Sequence, residues 1–115
     1  MITVYGLKNC DTCRKALKWL EAEGLGHRFL DLRKDSLDPA QIKRWIAACG
    51  WETVLNRRGT TWRGLNDSDK EGMNETKASA LMAAHPALIK RPVFEVGARV
   101  IIGFKDEQKN KLKGG

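Results

Sequence analysis

Ile2-Thr3-Val4-Tyr5-Gly6-Leu7-Lys8-Asn9-Cys10-Asp11-Thr12-Cys13-Arg14-Lys15 runs from a short apolar segment, through a polar turn, into a cysteine pair. Behind the pair, Cys13, Ala16, Leu17 and Leu20 recur at the i, i+3, i+4, i+7 spacing of one buried helix face, and Gly24 suits the C′ position that ends it. The pattern predicts a strand that delivers a thiol to a helix N-terminus. First-turn amides have no intrahelical partner, and the aligned peptide dipoles place about half a positive charge there. A thiolate is stabilised at such a place, and Arg14 and Lys15 add positive charge nearby. Cys10 is therefore expected to have a lowered pKa and to act as nucleophile, with Cys13, one turn inside, as the possible resolving thiol.

Two other readings of the pair compete. A tetrahedral zinc site needs two further ligands, and Cys49, His27 and His85 form no second paired motif, so no metal is expected. Two cysteines that merely pack usually lie away from a helix start with flanking cations. The redox reading leads. Cys49 falls on a separate apolar stripe and is expected to pack. His27 and His85 are isolated from each other and from any carboxylate motif, and are read as structural.

The chain has 115 residues and 42% hydrophobic composition, enough for one core and too little for two ordinary domains. No apolar run approaches a membrane span, and no charged start precedes an apolar signal core, so a cytoplasmic protein with no membrane association is expected. Three cysteines argue for reduced thiols rather than a disulfide scaffold. The net charge of +7 favours anionic partners: nucleic acid, an oxyanion, or a small acidic thiol such as glutathione. No basic run of five or more and no DNA-binding motif occurs, which argues against nucleic acid.

Outward from the pair, His27-Arg28-Phe29-Leu30-Asp31-Leu32 reads as a second strand, making residues 2–32 a βαβ unit with parallel pairing. Asp38 as N-cap, Pro39 at N1 and Gln41 completing a capping-box pattern open a helix with Ile42, Trp45, Ile46 and Cys49 on its buried stripe and Gly50 at its end. Residues 51–85 show no strand-like alternation. Trp51 to Leu55 suggests a further helical turn, and Asn74 caps a stretch in which Ala78, Leu81, Met82 and His85 share a face. Between them, Asn56-Arg57-Arg58-Gly59-Thr60-Thr61-Trp62-Arg63 reads either as a functional loop or as a solvated turn. Pro92 to Val96, Gly97-Ala98 and Arg99 to Phe104 form a hairpin with a type II′ turn. A last helix is expected from about Asp106, with Leu112 as its apolar contact and Gly114-Gly115 fraying.

A βαβ unit, a helical segment and a ββα unit, with Cys10 opening the first helix and Pro92 opening the third strand, make the thioredoxin-like arrangement. More closely, nearly the whole chain resembles the family that joins glutaredoxin-coupled arsenate reductases, Spx-type regulators and YffB-like proteins, and within it the YffB-like branch. The stretches carrying the resemblance are Val4-Tyr5-Gly6, Asn9-Cys10-Asp11-Thr12-Cys13-Arg14-Lys15-Ala16, Leu55 to Trp62, Pro86 to Pro92, and Ile102-Gly103-Phe104. The resemblance implies an α/β (α+β) thioredoxin-like fold in a single domain, 1–115, with a mixed four-stranded sheet and a helical insert at about 34–85. It also implies a reactive Cys10 and a cis Pro92 facing it. Asn9, Arg14, Arg58 (or Arg57), Arg91 and Pro92 are then the expected contacts to glutathione, a cosubstrate rather than a tightly bound cofactor, in a monomer.

The departures bear on the reaction. Arsenate reductases of this family hold the oxyanion with three arginines. Arg58 (or Arg57) and Arg91 match two of them, and the third position falls near Ile102. A doubly charged oxyanion would lose one charge-assisted clamp there, a contact worth about 1.5–3 kcal/mol. Glutathione asks for fewer cations. The expected activity is a glutathione-dependent thiol-disulfide reductase acting on a small-molecule or protein thiol or disulfide. The alternatives are an Spx-type redox-sensing regulator that docks on RNA polymerase and a glutaredoxin-coupled arsenate reductase. The arginine-rich middle loop favours the enzyme over the docking module.

Overall fold

The computed structural model describes residues 1–35 and 37–114. In chain order the elements are β1 (Ile2–Gly6), α1 (Asp11–Ala22), β2 (His27–Asp31), α2 (Pro39–Cys49), the helical turns α3 (Trp51–Val54), α4 (Thr60–Arg63) and α5 (Asp67–Lys70), α6 (Glu75–Ala84), a 3-10 turn at Pro86–Leu88, β3 (Val93–Val96), β4 (Arg99–Ile102) and α7 (Asp106–Lys113). They group into two compact units, Met1–Ser36 with Arg91–Gly115, and Leu37–Lys90. The expected insert at 34–85 thus corresponds to a unit that extends to Lys90. The expected fraying of Gly115 lies outside the described residues.

In the first unit the strand order is β2-β1-β3-β4. β1 pairs with β2 in parallel, Ile2 opposite His27 and Gly6 opposite Asp31, and with β3 antiparallel, Tyr5 opposite Val93. This mixed four-stranded sheet from a βαβ and a ββα unit is the thioredoxin-like arrangement. Alternation along the strands sends Ile2, Val4, Phe94 and Ile101 to one face, where they meet Ala16 and Leu20 of α1 and Leu112 of α7. Full burial of each large side chain there contributes about 1.5–3 kcal/mol, so this face holds both helices on the sheet. Trp19 and Phe104 extend it with an edge-on ring contact at 5.7 Å. The hairpin turn is Gly97-Ala98, with positive φ (+61°) only at its first central residue, as the type II′ turn requires.

In the second unit α2 starts as its sequence demands: Asp38 Oδ1 accepts from the Ala40 amide at 2.9 Å, and Pro39 occupies the first turn, where its missing N–H costs nothing. Gly50, at φ +87°, ends it. Ile42, Trp45 and Ile46 are the buried stripe, and Cys49 is half-buried. Asn74 caps α6 by accepting from the Lys77 amide at 2.9 Å. The face of α6 differs from the expected one. Ala78, Ser79 and Met82 are buried, whereas His85 is exposed, because the helix ends at Ala84 and His85 leaves helical geometry (φ −131°, ψ 83°). The arginine-rich stretch also differs: its second half, Thr60–Arg63, is a helical turn behind Gly59. Four-residue turns are too short to show a hydrophobic period, so sequence periodicity passes over them.

Candidate active site

Cys10 is the N-cap of α1, in extended geometry (φ −98°, ψ 119°). Its amide donates to the Leu7 carbonyl at 3.2 Å, closing a tight turn, and its carbonyl accepts from the Arg14 amide at 3.0 Å as the first helical bond. The thiol therefore stands at the end of the helix where amides lack backbone partners. Cys10 is half-buried and Cys13 is buried at 1% exposure.

Burial opposes ionisation of Cys10, but it is outweighed by hydrogen bonds from the Cys13 amide, the Cys13 thiol and the Arg91 guanidinium, and by the Arg91 charge. The Cys10 pKa is lowered as a result. Cys13 goes the other way. Burial, its thiol donating to Cys10, and the neighbouring Cys10 charge push it up to about 12, against a weaker opposing contribution from the Leu7 amide and the Arg91 charge. One thiol of the pair is thus set up as thiolate and the other as a neutral donor beneath it.

Arg91 reaches this thiol because of sheet register. Val93 lies opposite Tyr5, so the residues that precede β3 stand beside the turn that follows β1. The Arg91-Pro92 peptide bond is cis. Pro92 is buried, and its carbonyl accepts from the Gly103 amide at 2.9 Å, tying this segment to the residue after β4. The expectation that Arg14 and Lys15 supply the positive charge is corrected. Among the leading causes of the Cys10 shift the cation is Arg91, while the Arg14 guanidinium is turned to Asp11 in an exposed ion pair at 2.7 Å. Arg14 and Asp11 pair with each other on the exposed side of the first turn, so their proximity in sequence did not become contact with the thiol. Asn9 is exposed in the turn just before Cys10.

Arg58 belongs to the second unit. There its amide donates to Asn56 Oδ1 at 3.1 Å and its carbonyl accepts from Arg63 Nη2 at 2.8 Å, while Arg57 lies over the Trp51 ring at 5.7 Å from the centroid. Of the three arginines, the Arg63 guanidinium is engaged within the segment and that of Arg57 with Trp51 of α3. The segment is anchored by an isolated bridge between Leu55 and Ile89, with the Asn56 amide donating to the Leu88 carbonyl at 2.7 Å. Ile102, where the resemblance would ask for a third arginine, is a buried β4 residue at 7% exposure. Among the described residues no group of three or more His, Cys, Asp or Glu could hold a metal ion, and no helix is long and apolar enough to cross a membrane.

Sequence reasoning missed Gly6. A Cβ there would fall 2.5 Å from Cys13 Sγ and 3.3 Å from Phe29 Cε1. Only a glycine lets the end of β1 approach the buried thiol this closely. Replacing Gly6 with Ala should destabilise the protein by about 1–3 kcal/mol, the usual cost of overpacking a close-packed site. Denaturant unfolding checks this, and an unchanged midpoint would mean that the thiol can move aside freely.

The model of the ArsC family matches residues 5–112, which include Cys10, Cys13, Arg58, Arg91 and Pro92. The chain belongs to the ArsC family. It is 42% identical over 108 residues to an uncharacterized protein of Haemophilus influenzae, covering 94% of this chain and 95% of that one. A solved structure of a YffB protein superposes with a TM-score of 0.93 at 42% identity, covering 97% of this chain and 98% of the other. A more distant relative is the global transcriptional regulator Spx 2 of Bacillus anthracis, 26% identical over 114 residues, 97% of this chain and 86% of the regulator. Within the ArsC family, this chain thus stands with YffB-like proteins and shares ancestry with Spx regulators.

Proposed function

We propose that this ArsC-family chain is a glutathione-dependent thiol-disulfide reductase with Cys10 as its nucleophile. The reading is carried by one observation: the half-buried Cys10 thiol, its pKa lowered, takes hydrogen bonds from the Arg91 guanidinium and from a neutral, buried Cys13. In the first step the Cys10 thiolate attacks the glutathione sulfur of a mixed disulfide between glutathione and the substrate thiol, the S–S bond breaks, and the substrate thiolate leaves and takes a proton. A Cys10 mixed disulfide remains. In the second step a glutathione thiolate attacks the glutathione sulfur of that mixed disulfide, releasing oxidised glutathione and restoring the Cys10 thiolate. Each turnover consumes one glutathione thiol, which joins the glutathione half of the mixed disulfide as oxidised glutathione, so no bound cofactor is required. Arg91 is the proposed contact to a glutathione carboxylate, and the exposed Asn9 and Arg14 are proposed as further polar contacts within the same unit.

Cys13 is the alternative resolving group, but a thiol pushed up to about 12 and buried at 1% exposure is a poor nucleophile at neutral pH. Cys13→Ser should therefore retain most of the turnover of a mixed disulfide between glutathione and a small thiol, measured by release of oxidised glutathione. Loss equal to that of Cys10→Ser would establish an intramolecular dithiol route instead.

The likeness to Spx 2 favours a second reading, a redox-sensing regulator that docks on RNA polymerase. Co-purification decides between the two. A tight polymerase complex formed only by the oxidised protein, with no turnover of mixed glutathione disulfides, would replace the enzymatic reading. Arsenate reduction is the less favoured activity, because the buried Ile102 offers no clamp to a doubly charged oxyanion.

A further inference from the structure

The C-terminal ends of the parallel strands β1 and β2 are tied together beside Cys10. Gly6 stands opposite Asp31 in the register, and one residue on the Leu32 amide donates to the Gly6 carbonyl at 2.8 Å. The two turns that follow, Leu7 to Cys10 and Leu32 to Asp35, therefore leave the sheet side by side. Between them they carry three exposed cations, Lys8, Arg33 and Lys34. None of the three forms an ion pair with another described residue. The carboxylates of these turns and of the first α1 turn are engaged elsewhere. Asp31 is buried at 7% exposure, and its Oδ1 accepts from the Arg33 and Lys34 amides at 2.8 and 3.3 Å. Asp35 Oδ2 accepts from the Asp31 amide at 2.8 Å, and Asp11 pairs with Arg14. Because Asp31 draws on backbone amides of the turn, the Arg33 and Lys34 side chains are left in solvent.

We infer that the Lys8, Arg33 and Lys34 rim is the docking surface for an acidic segment of a protein substrate, whose cysteine has Asp or Glu residues beside it. The inference rests on Cys10 as the attacking thiol and names the substrate class of that site. Charge complementarity carries it. Lys8 stands in the same tight turn as Cys10, and the hydrogen-bonded neighbouring turn adds two more charges of the same sign. Cations grouped on one rim of a reactive site raise the local concentration of anionic partners and speed productive encounter. Of the polyanions these cations suit, a polypeptide is the one that brings a sulfur to Cys10.

Stopped-flow exchange with two synthetic peptides tests this, each carrying its cysteine as a mixed disulfide with thionitrobenzoate, flanked in one by Asp and Glu and in the other by Asn and Gln. The Cys10 thiolate attacks the peptide sulfur, the S–S bond breaks, and thionitrobenzoate leaves as a coloured thiolate. At low salt the acidic peptide should react about 10-fold faster than the amide peptide, and the gap should close towards about 1 M salt. Arg33→Ser combined with Lys34→Ser should shrink the gap about threefold or more while the amide peptide reacts at its former rate, and Lys8→Ser should shrink it in part. Lys111→Ser combined with Lys113→Ser removes the same charge at the other end of α1, where Lys113 pairs with the C-cap residue Glu23 at 2.9 Å, and should preserve the gap. Equal rates for the two peptides overturn the inference. So does a gap that survives the loss of Arg33 and Lys34, or one that the Lys111 and Lys113 replacements shrink equally. No glutathione enters this exchange, so failure of the glutathione reading leaves the result standing.

Discussion

Cys10→Ser should abolish turnover of mixed glutathione disulfides, a fall of more than about 10³-fold, to the background of uncatalysed exchange, because the covalent intermediate forms on the activated thiol at the α1 cap, and the half-buried Cys49 ends α2 instead. A serine hydroxyl at the same helix cap is not ionised near neutral pH, and buried Cys13 is not presented to substrate. In the unsubstituted protein the alkylation rate of Cys10 should inflect below the free-thiol range of about 8.5, while Cys13 stays unmodified well above it. If Cys10→Ser leaves the fast-reacting thiol in place, the nucleophile is misassigned. The same shifts set the pH dependence of stability, with opposite signs for the two thiols. Cys10, whose pKa folding lowers, adds stability that is complete above the free-thiol value and is lost as pH falls through its folded value. Cys13, raised to about 12, costs stability progressively as pH climbs from the free-thiol range towards that value.

Arg91→Ala should have the second largest effect. The guanidinium contributes both a hydrogen bond and its charge to the Cys10 thiolate, and a charge-assisted contact of this kind is worth about 1.5–3 kcal/mol. Turnover at neutral pH should fall about 10- to 100-fold, with an upward shift of the Cys10 alkylation midpoint and a raised KM for glutathione. The two readouts separate two roles. A shifted midpoint with unchanged KM would confine Arg91 to the thiolate, whereas a raised KM alone would confine it to the substrate. If neither moves, Arg91 has no place in the site.

Much of this site was legible before the fold was known. Cys10 opens α1 because an apolar strand, a polar turn and a 3.6-period stripe follow one another within a few residues, and each signal is local. Asp38, Asn74 and Gly97 were equally readable, since a cap or a tight turn depends on its own side chain and φ. His85 shows the limit. Its spacing matched the α6 face, but the helix stopped one residue earlier, and periodicity says nothing about a residue outside the helix.

The sequence by itself determined which thiol stands at a helix start and that the two halves build a βαβ and a ββα unit, because those features follow from neighbours along the chain. The tertiary structure alone decided which cation serves that thiol. Arg14 is adjacent in sequence yet pairs with Asp11 in solvent, whereas Arg91, far along the chain, is brought to Cys10 by the antiparallel register that sets Val93 opposite Tyr5. It also decided that Gly6 must lack a side chain, since the clash with Cys13 Sγ exists only once β1 and α1 have packed. Charge and sterics act through space, and only the sheet register says which residues share it.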